Sequence, residues 1–226
     1  MATVTPWATR DDDGGRIKTG RTLSVRMDLS RVARYRPVPA SGNGRAAAVL
    51  APVIDRGGEP HLLFTKRADH LGEHPGQMSF PGGGREPDDA SLVATATREA
   101  HEEIGLHPEE VEIVGRLDDL ETVTSYSVRP FVGRIPDRAY EPDEREVAEI
   151  AVLPVTGLLD PDNYEDELRD HPKYGEIRVH YFHVNGYTVW GATAKMLAQL
   201  LELTTGWEPP APADRLLDTD VDGPGQ

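Results

Sequence analysis

The stretch from Phe80 to Leu106 constrains this chain most, because it joins a glycine run to a segment patterned as an acid-bearing helix. Gly82, Gly83 and Gly84 lack Cβ atoms and so let backbone come close to an ion or a phosphate. From about Asp88 to Ile104 there is neither Gly nor Pro; Asp88, Asp89 and Ser91 are candidate N-caps and Gly105 is a natural C-cap. The spacing predicts a helix over these residues. At roughly 100° per residue, Glu99, Glu102 and Glu103 share an arc of about 100°, while Val93, Ala96, Ala100 and Ile104 gather on another side. One face can pack while the other holds three carboxylates.

Neighbouring carboxylates repel one another, and a hard cation removes that cost. Mg²⁺ or Mn²⁺ suits such a set, since both favour oxygen ligands and keep open water positions. An isolated Glu-x-x-Glu-Glu is more often a solvated acidic face. The glycine run ahead of the helix shifts the balance, because Gly83 can add its carbonyl to the same ion.

Gly84, thirteen residues, and then Arg98-Glu99-Ala100-His101-Glu102-Glu103-Ile104-Gly105-Leu106 resemble the Nudix box, G-x5-E-x7-R-E-U-x-E-E-x-G-U with U apolar. One position departs: the first Glu of that pattern falls on Ala90, with Asp89 just before it. In the family this Glu pairs with the box arginine, so the departure leaves open which residue partners Arg98, with Asp89 and Asp88 as the candidates.

The run Leu63-Phe64-Thr65-Lys66-Arg67, then His74-Pro75-Gly76-Gln77, then Phe80-Pro81-Gly82-Gly83 is similar to the extra signature of the coenzyme A pyrophosphatase branch. Ala68 stands where that branch has Ser, and Gly72 where an Arg is common. A guanidinium is the natural clamp for a phosphate. Its absence at Gly72 leaves Lys66, Arg67 and Arg85 as cationic candidates, with His74, Gln77, Gly82 and Gly84 beside them. Further matches are Leu117-Asp118-Asp119, Val128 to Gly133, and Trp190-Gly191-Ala192-Thr193-Ala194. Tyr126, in the loop before one of these, is a candidate to stack on a base, although packing is the commoner role of such an aromatic.

Length and composition bound the rest. A chain of 226 residues suits one substantial core with extensions. The absence of Cys excludes disulfides and thiolate zinc sites. No apolar run approaches the ~18 residues of a membrane span, and the N-terminus lacks an apolar signal core, so a soluble, cytoplasmic protein is expected. A formal charge of −15 argues against nucleic-acid and anionic-membrane partners, which need basic surface. Lys18, Lys66, Lys173 and Lys195 are the lysines, all other basic residues being arginine, and this with the acidic excess resembles proteins of salt-loaded cytoplasm.

Residues 1–44 read as an N-terminal extension, unstructured to about residue 24 with a short helix near Asp28–Tyr35; residues 45–206 read as the catalytic domain and 207–226 as a disordered acidic, Pro-rich tail. Ala46–Ile54 and His61–Lys66 form a predicted hairpin in which Pro52 marks an edge or a bulge. Asp118–Tyr126 is expected to be an exposed loop, and Asp162–Tyr174 a polar excursion. Glu176–Val184 and Tyr187–Trp190 should be a hairpin around Asn185-Gly186, followed by an amphipathic helix from Gly191 to Leu203.

The resemblance implies an α/β/α sandwich with a mixed β-sheet. It implies a metal-dependent hydrolase, using Mg²⁺ or Mn²⁺, that cleaves coenzyme A or acyl-CoA to 3′,5′-ADP and phosphopantetheine or its acyl form. Glu102 and Glu103 would be the principal ligands, Glu99 a ligand or base, Gly83 a carbonyl ligand and Arg98 the residue that orients the acids. A downstream carboxylate, Glu146 or Glu149, would complete the site. Two alternatives stay open: action on another nucleoside diphosphate derivative (ADP-ribose, a dinucleotide or an oxidised nucleotide), and a non-catalytic nucleotide-sensing domain. A homodimer is compatible with either.

Overall fold

Ala46–Ile54 is apolar on both faces because the strand containing it is covered on both. A computed structural model describes residues 25–42, 44–70, 76–122, 125–171 and 175–210. In chain order the elements are α1 (Ser30–Arg34), β1 (Arg45–Arg56), β2 (Glu59–Arg67), β3 (Met78–Ser79), β4 (Gly82–Gly84), α2 (Leu92–Ile104), β5 (Glu112–Arg116), β6 (Leu120–Glu121), β7 (Tyr126–Arg134), β8 (Val147–Pro154), α3 (Val155–Leu158), β9 (Tyr164–His171), β10 (Gly175–Val184), β11 (Tyr187–Trp190) and α4 (Gly191–Thr205). β1 to β8 make one sheet and β9 to β11 a second.

β1 runs parallel to β7 and antiparallel to both β2 and β4, so the large sheet is mixed. β1 and β2 pair only at their hairpin end, from Val53↔Leu62 to Arg56↔Glu59, and then diverge. The segment from Met78 to Gly84 fills the gap: β3 pairs with β2 through Thr65↔Ser79, and β4 pairs with β1 through Ala48↔Gly83. Pro52 sits where β1 passes from one partner to the other. Leu50 donates its N–H to the Pro81 carbonyl at 2.8 Å, so Pro52, two residues on, turns its missing donor toward the gap. The expected edge or bulge is thus a handover between partners within a central strand.

Two hydrophobic clusters flank the sheet. On one face Ala48, Leu50, Ile54 and Leu63 pack under Ala96, Ala100 and Ile104 of α2. On the other Val53, Leu62, Phe64, Met78 and Phe80 meet α4 and the small sheet through Leu197, Leu201, Phe182 and Val189. Phe64 and Phe80 stack with centroids 4.8 Å apart, tying the inserted segment to β2. This is the α/β/α sandwich with a mixed sheet. No helix among the described residues is long and apolar enough to cross a membrane.

Of the three candidate N-caps the structure selects Ser91, which accepts the Ala94 N–H, so the helix begins at Leu92, and Gly105 closes the other end with φ of 64°. Two expectations are corrected. In the Asp118–Tyr126 loop, residues 118–122 and Tyr126 are half-buried and Ser125 is exposed. Asp119 accepts from Arg116 and Arg129 and from the Ala40 N–H, and Leu120–Glu121 pairs with β7. Part of the Asp162–Tyr174 excursion is a strand, β9, registered against β10 from Tyr164↔Phe182 to His171↔Gly175. The short N-terminal helix is also no separate appendage, because Leu29 and Val32 are buried in the α4-side core. The predicted unstructured residues 1–24, and 211–226 of the tail, lie outside the described residues.

Candidate active site

The site is built where α2 crosses the glycine run. Glu99 lies directly over Gly83: a Cβ there would stand 2.5 Å from the Glu99 carboxylate, so any side chain at this position would displace that acid. Gly82 has φ of 157°, and a Cβ on it would meet the Ala48 carbonyl oxygen at 2.4 Å. Glu103, one turn further along, accepts the Gly82 N–H at 3.4 Å and the Thr65 hydroxyl at 3.5 Å.

Arg98 is the hub. Its Nε donates to Asp89 Oδ1 at 3.0 Å and its Nη2 to Asp89 Oδ2 at 3.1 Å, a two-pronged pair, while Nη2 also reaches the Gly84 carbonyl at 3.1 Å. The same guanidinium pairs with Glu99 at 3.0 Å and Glu102 at 2.9 Å. Asp89 additionally accepts from the Glu86 N–H and the Thr95 hydroxyl, both at 2.9 Å. The partner left open between Asp88 and Asp89 is therefore Asp89, and the Arg98 hydrogen bonds hold its carboxyl well below the usual carboxylate range.

The acids facing the glycine run are shifted the other way. Burial pushes Glu103 up to about 8, and the charges of Glu99 and Glu146 add to the rise. Glu99 is also raised, by burial first and then by Glu102 and Glu146, against the lowering effect of Arg98. Such upward shifts are the cost of crowding carboxylates where water is scarce. Of the two downstream candidates, Glu146 bears on both acids, while Glu149 instead accepts the Tyr187 hydroxyl.

The other predicted residues surround this centre. Lys66 pairs with Met78 across β2 and β3 and with Glu149 across β2 and β8. Arg67 and Gln77 are tied by backbone, Arg67 N–H to the Gln77 carbonyl at 3.0 Å, and the Gln77 amide reaches the start of α4, 3.8 Å from where a Cβ on Gly191 would stand. Arg85 is committed to its own loop, donating through Nη2 to the Asp89 carbonyl at 3.0 Å. The Tyr126 ring stands 3.9 Å from where a Cβ on Gly84 would lie. His74 lies outside the described residues. Two residues were not foreseen. Thr65 supports Glu103, and Arg45 places its guanidinium 4.3 Å from the Tyr126 ring centroid. The sequence signal for Thr65 is the signature run itself; Arg45 had none.

The model of the NUDIX domain matches residues 44–183. The chain belongs to the Nudix family. Nudix relatives extend the match: the uncharacterized Nudix hydrolase NudL of Enterobacter sp. (strain 638) is 42% identical over 189 residues, covering 80% of this chain and 94% of that protein. NudL of Yersinia enterocolitica is 36% identical, with 82% and 94% covered. Among solved structures, the NUDIX domain of Shewanella oneidensis NrtR, crystallised with ADP ribose, is similar with a TM-score of 0.43 at 17% identity, covering 58% of this chain and 86% of that one. This Nudix protein is an enzyme, a pyrophosphohydrolase.

Nudix hydrolases use divalent metal ions, and the donor set here suits one: every candidate ligand is a hard oxygen, and Gly83 leaves a cradle that a Cβ would fill. Among the described residues no three acids or imidazoles are grouped closely enough to chelate an ion as they stand. The reason is visible, since Glu99 and Glu102 are both turned onto Arg98.

Proposed function

We propose that this Nudix enzyme hydrolyses the diphosphate of coenzyme A or an acyl derivative, releasing 3′,5′-ADP and phosphopantetheine or its acyl form. One observation carries the reading. The run that resembles the coenzyme A signature, Leu63 to Gly83, is the segment that supports the acidic centre, with Thr65 and Gly82 both donating to Glu103. Residues of the signature and of the Nudix box therefore belong to one continuous site.

In this reading Mg²⁺ or Mn²⁺ would be held by Glu99, Glu102, Glu103 and the Gly83 carbonyl, with Glu146 as the downstream carboxylate. When bound, the ion supplies neutralisation of diphosphate charge and acidification of a water. The chain's own residues do the rest. Asp89 fixes Arg98, and Arg98 holds Glu99 and Glu102 at the helix face. Burial raises the Glu99 carboxyl, which makes it a better proton acceptor than a solvated carboxylate. In this reading Lys66, Arg67, His74, Gln77, Gly82, Gly84, Arg85 and Tyr126 would be the substrate-binding residues, all carried from the sequence resemblance.

Product analysis tests the proposal. Purified protein with Mg²⁺ or Mn²⁺ should convert coenzyme A to 3′,5′-ADP and phosphopantetheine in equal amounts, faster than it cleaves ADP-ribose, dinucleotides or oxidised nucleotides. Faster turnover of any of those overturns the substrate assignment, and binding without cleavage of any diphosphate returns the sensing reading.

A further inference from the structure

Many arginines of this acidic chain, which carries 39 acidic and 24 basic residues, are held by carboxylates. Arginines 56, 98, 116, 129, 134, 138, 145, 169 and 178 each pair with an acid. Arg45 does not, among the described residues; its guanidinium lies over the Tyr126 ring, 4.3 Å from the centroid. The arrangement is prepared by the backbone. Arg45 donates its N–H to the Ser125 carbonyl at 2.9 Å, and Arg45 and Tyr126 are in register across the parallel pair of β1 and β7. A guanidinium parked on an aromatic keeps its donor edges open, and stacking fixes its plane before any ligand arrives.

Its position is tied to the glycine run. Two residues along β1, Ala47 is in register with Gly84, and the Tyr126 ring stands 3.9 Å from where a Cβ on Gly84 would be. Arg45 alternates with Ala46 and so shares the face of Ala47 and Val49, while Lys66 shares the face of Leu62 and Phe64; both faces are the α4 side of the sheet. Arg45 and Lys66 thus flank the strip from Met78 to Gly84 from its β1 and β2 sides, and Arg85 is spent on the Asp89 carbonyl.

We propose that Arg45, held on Tyr126 beside Gly84, is a specificity-determining residue that binds the 3′-phosphate on the nucleoside half of the substrate. This rests on the coenzyme A reading and adds a residue that the family resemblance did not supply. The chemistry is a dianionic phosphate one ribose away from the diphosphate, met by a planar, permanently charged donor; Tyr126 orients that donor and offers its edge to the sugar or base.

The test compares coenzyme A with coenzyme A lacking its 3′-phosphate, for wild type, Arg45→Gln and Arg45→Lys. Wild type should favour the 3′-phosphorylated substrate through KM. Arg45→Gln should raise KM for coenzyme A roughly 10- to 100-fold, the usual worth of a hydrogen bond to a charged group, with kcat changed little, and should abolish the discrimination. Arg45→Lys should recover part of it, since charge returns without the planar fork. Equal losses on both substrates would assign Arg45 to the diphosphate or to folding and overturn the proposal. Unchanged discrimination in Arg45→Gln would overturn it as well. Failure of the underlying reading looks different: wild type then cleaves neither coenzyme A form while hydrolysing another nucleoside diphosphate, and the assignment of Arg45 falls with it.

Discussion

Replacing Asp89 with Asn tests whether the carboxylate that sits one residue before the family's position does the family's work. Four donors converge on Asp89: two from the Arg98 guanidinium, the Glu86 N–H and the Thr95 hydroxyl. The side chain is 6% exposed and that of Arg98 22%. Removing one partner of a fully buried pair costs ~3–5 kcal/mol. Arg98 keeps Glu99, Glu102 and the Gly84 carbonyl, so the expected loss is at the low end, about 3 kcal/mol. For a domain of this size that lowers Tm by roughly 6–12 °C. Asp89 has its carboxyl depressed from 3.8, so its contribution is present above the unfolded value and fades as pH falls through the lower folded value. The stability gap between wild type and Asp89→Asn should be widest near neutrality and close only in strong acid. A urea series at several pH values, read with turnover, checks this. Adding Ala90→Glu should not restore stability, because Ala90 points to solvent while Asp89 is buried. A loss under 0.5 kcal/mol (a threshold taken from ordinary surface substitutions, about ±0.5), an unchanged acid limb, or full rescue by Ala90→Glu would refute the reasoning.

Three further outcomes follow from the same geometry. Glu103→Gln keeps an acceptor for the Gly82 N–H but removes the charge, so turnover should fall at least ~100-fold with Tm held or raised, as desolvation of a carboxylate disappears; an active variant would remove Glu103 from the metal site. Glu146→Gln should lower kcat, whereas Glu149→Gln, which disturbs the contact with Tyr187, should not; steady-state kinetics on both variants decide between the two acids. Gly83→Ala and Gly82→Ala should separate: the first displaces only the flexible Glu99 carboxylate and should cost activity more than stability, while the second drives a Cβ into the Ala48 backbone and should unfold the protein several degrees earlier in a thermal melt.

What the sequence yields readily is what is local. Ser91 and Gly105 cap α2 through neighbours within a few residues, and Asn185 and Gly186, with φ of 53° and 82°, make the turn their identities demand. β9 is hard to read because one face carries Glu165, Glu167 and Arg169 and the other mixes Asp166 and Asp170 with Tyr164 and Leu168, too few apolar residues to make a period. Its strand is specified by β10 alongside, through contacts such as Arg178 with Asp166 at 3.2 Å. Asp119 looked like a loop acid because the arginines that bury it come from β5 and β7. Glu146 and Glu149 are equivalent as letters. The register of β8 against β2 sends Glu149 beside Lys66 and Tyr187, while Glu146, one residue before the strand, lies near enough for its charge to raise Glu99 and Glu103.

The same distinction resolves an apparent conflict in the composition. A chain of charge −15 repels polyanions at long range, yet the family acts on small nucleoside diphosphates. Net charge describes the far field, and a diphosphate is met within a few ångströms. Several arginines are neutralised in pairs away from the glycine strip, such as Arg134 with Glu112 and Arg138 with Glu110. Arg45 and Lys66, for which no ion pair is found among the described residues, lie on either side of that strip. Across it stand carboxylates that are raised by burial and mutual repulsion, and so are waiting for positive charge. Screening confines the repulsive field to about 10 Å at 0.1 M salt, so once a substrate is inside that distance it senses the local cations rather than the chain's total.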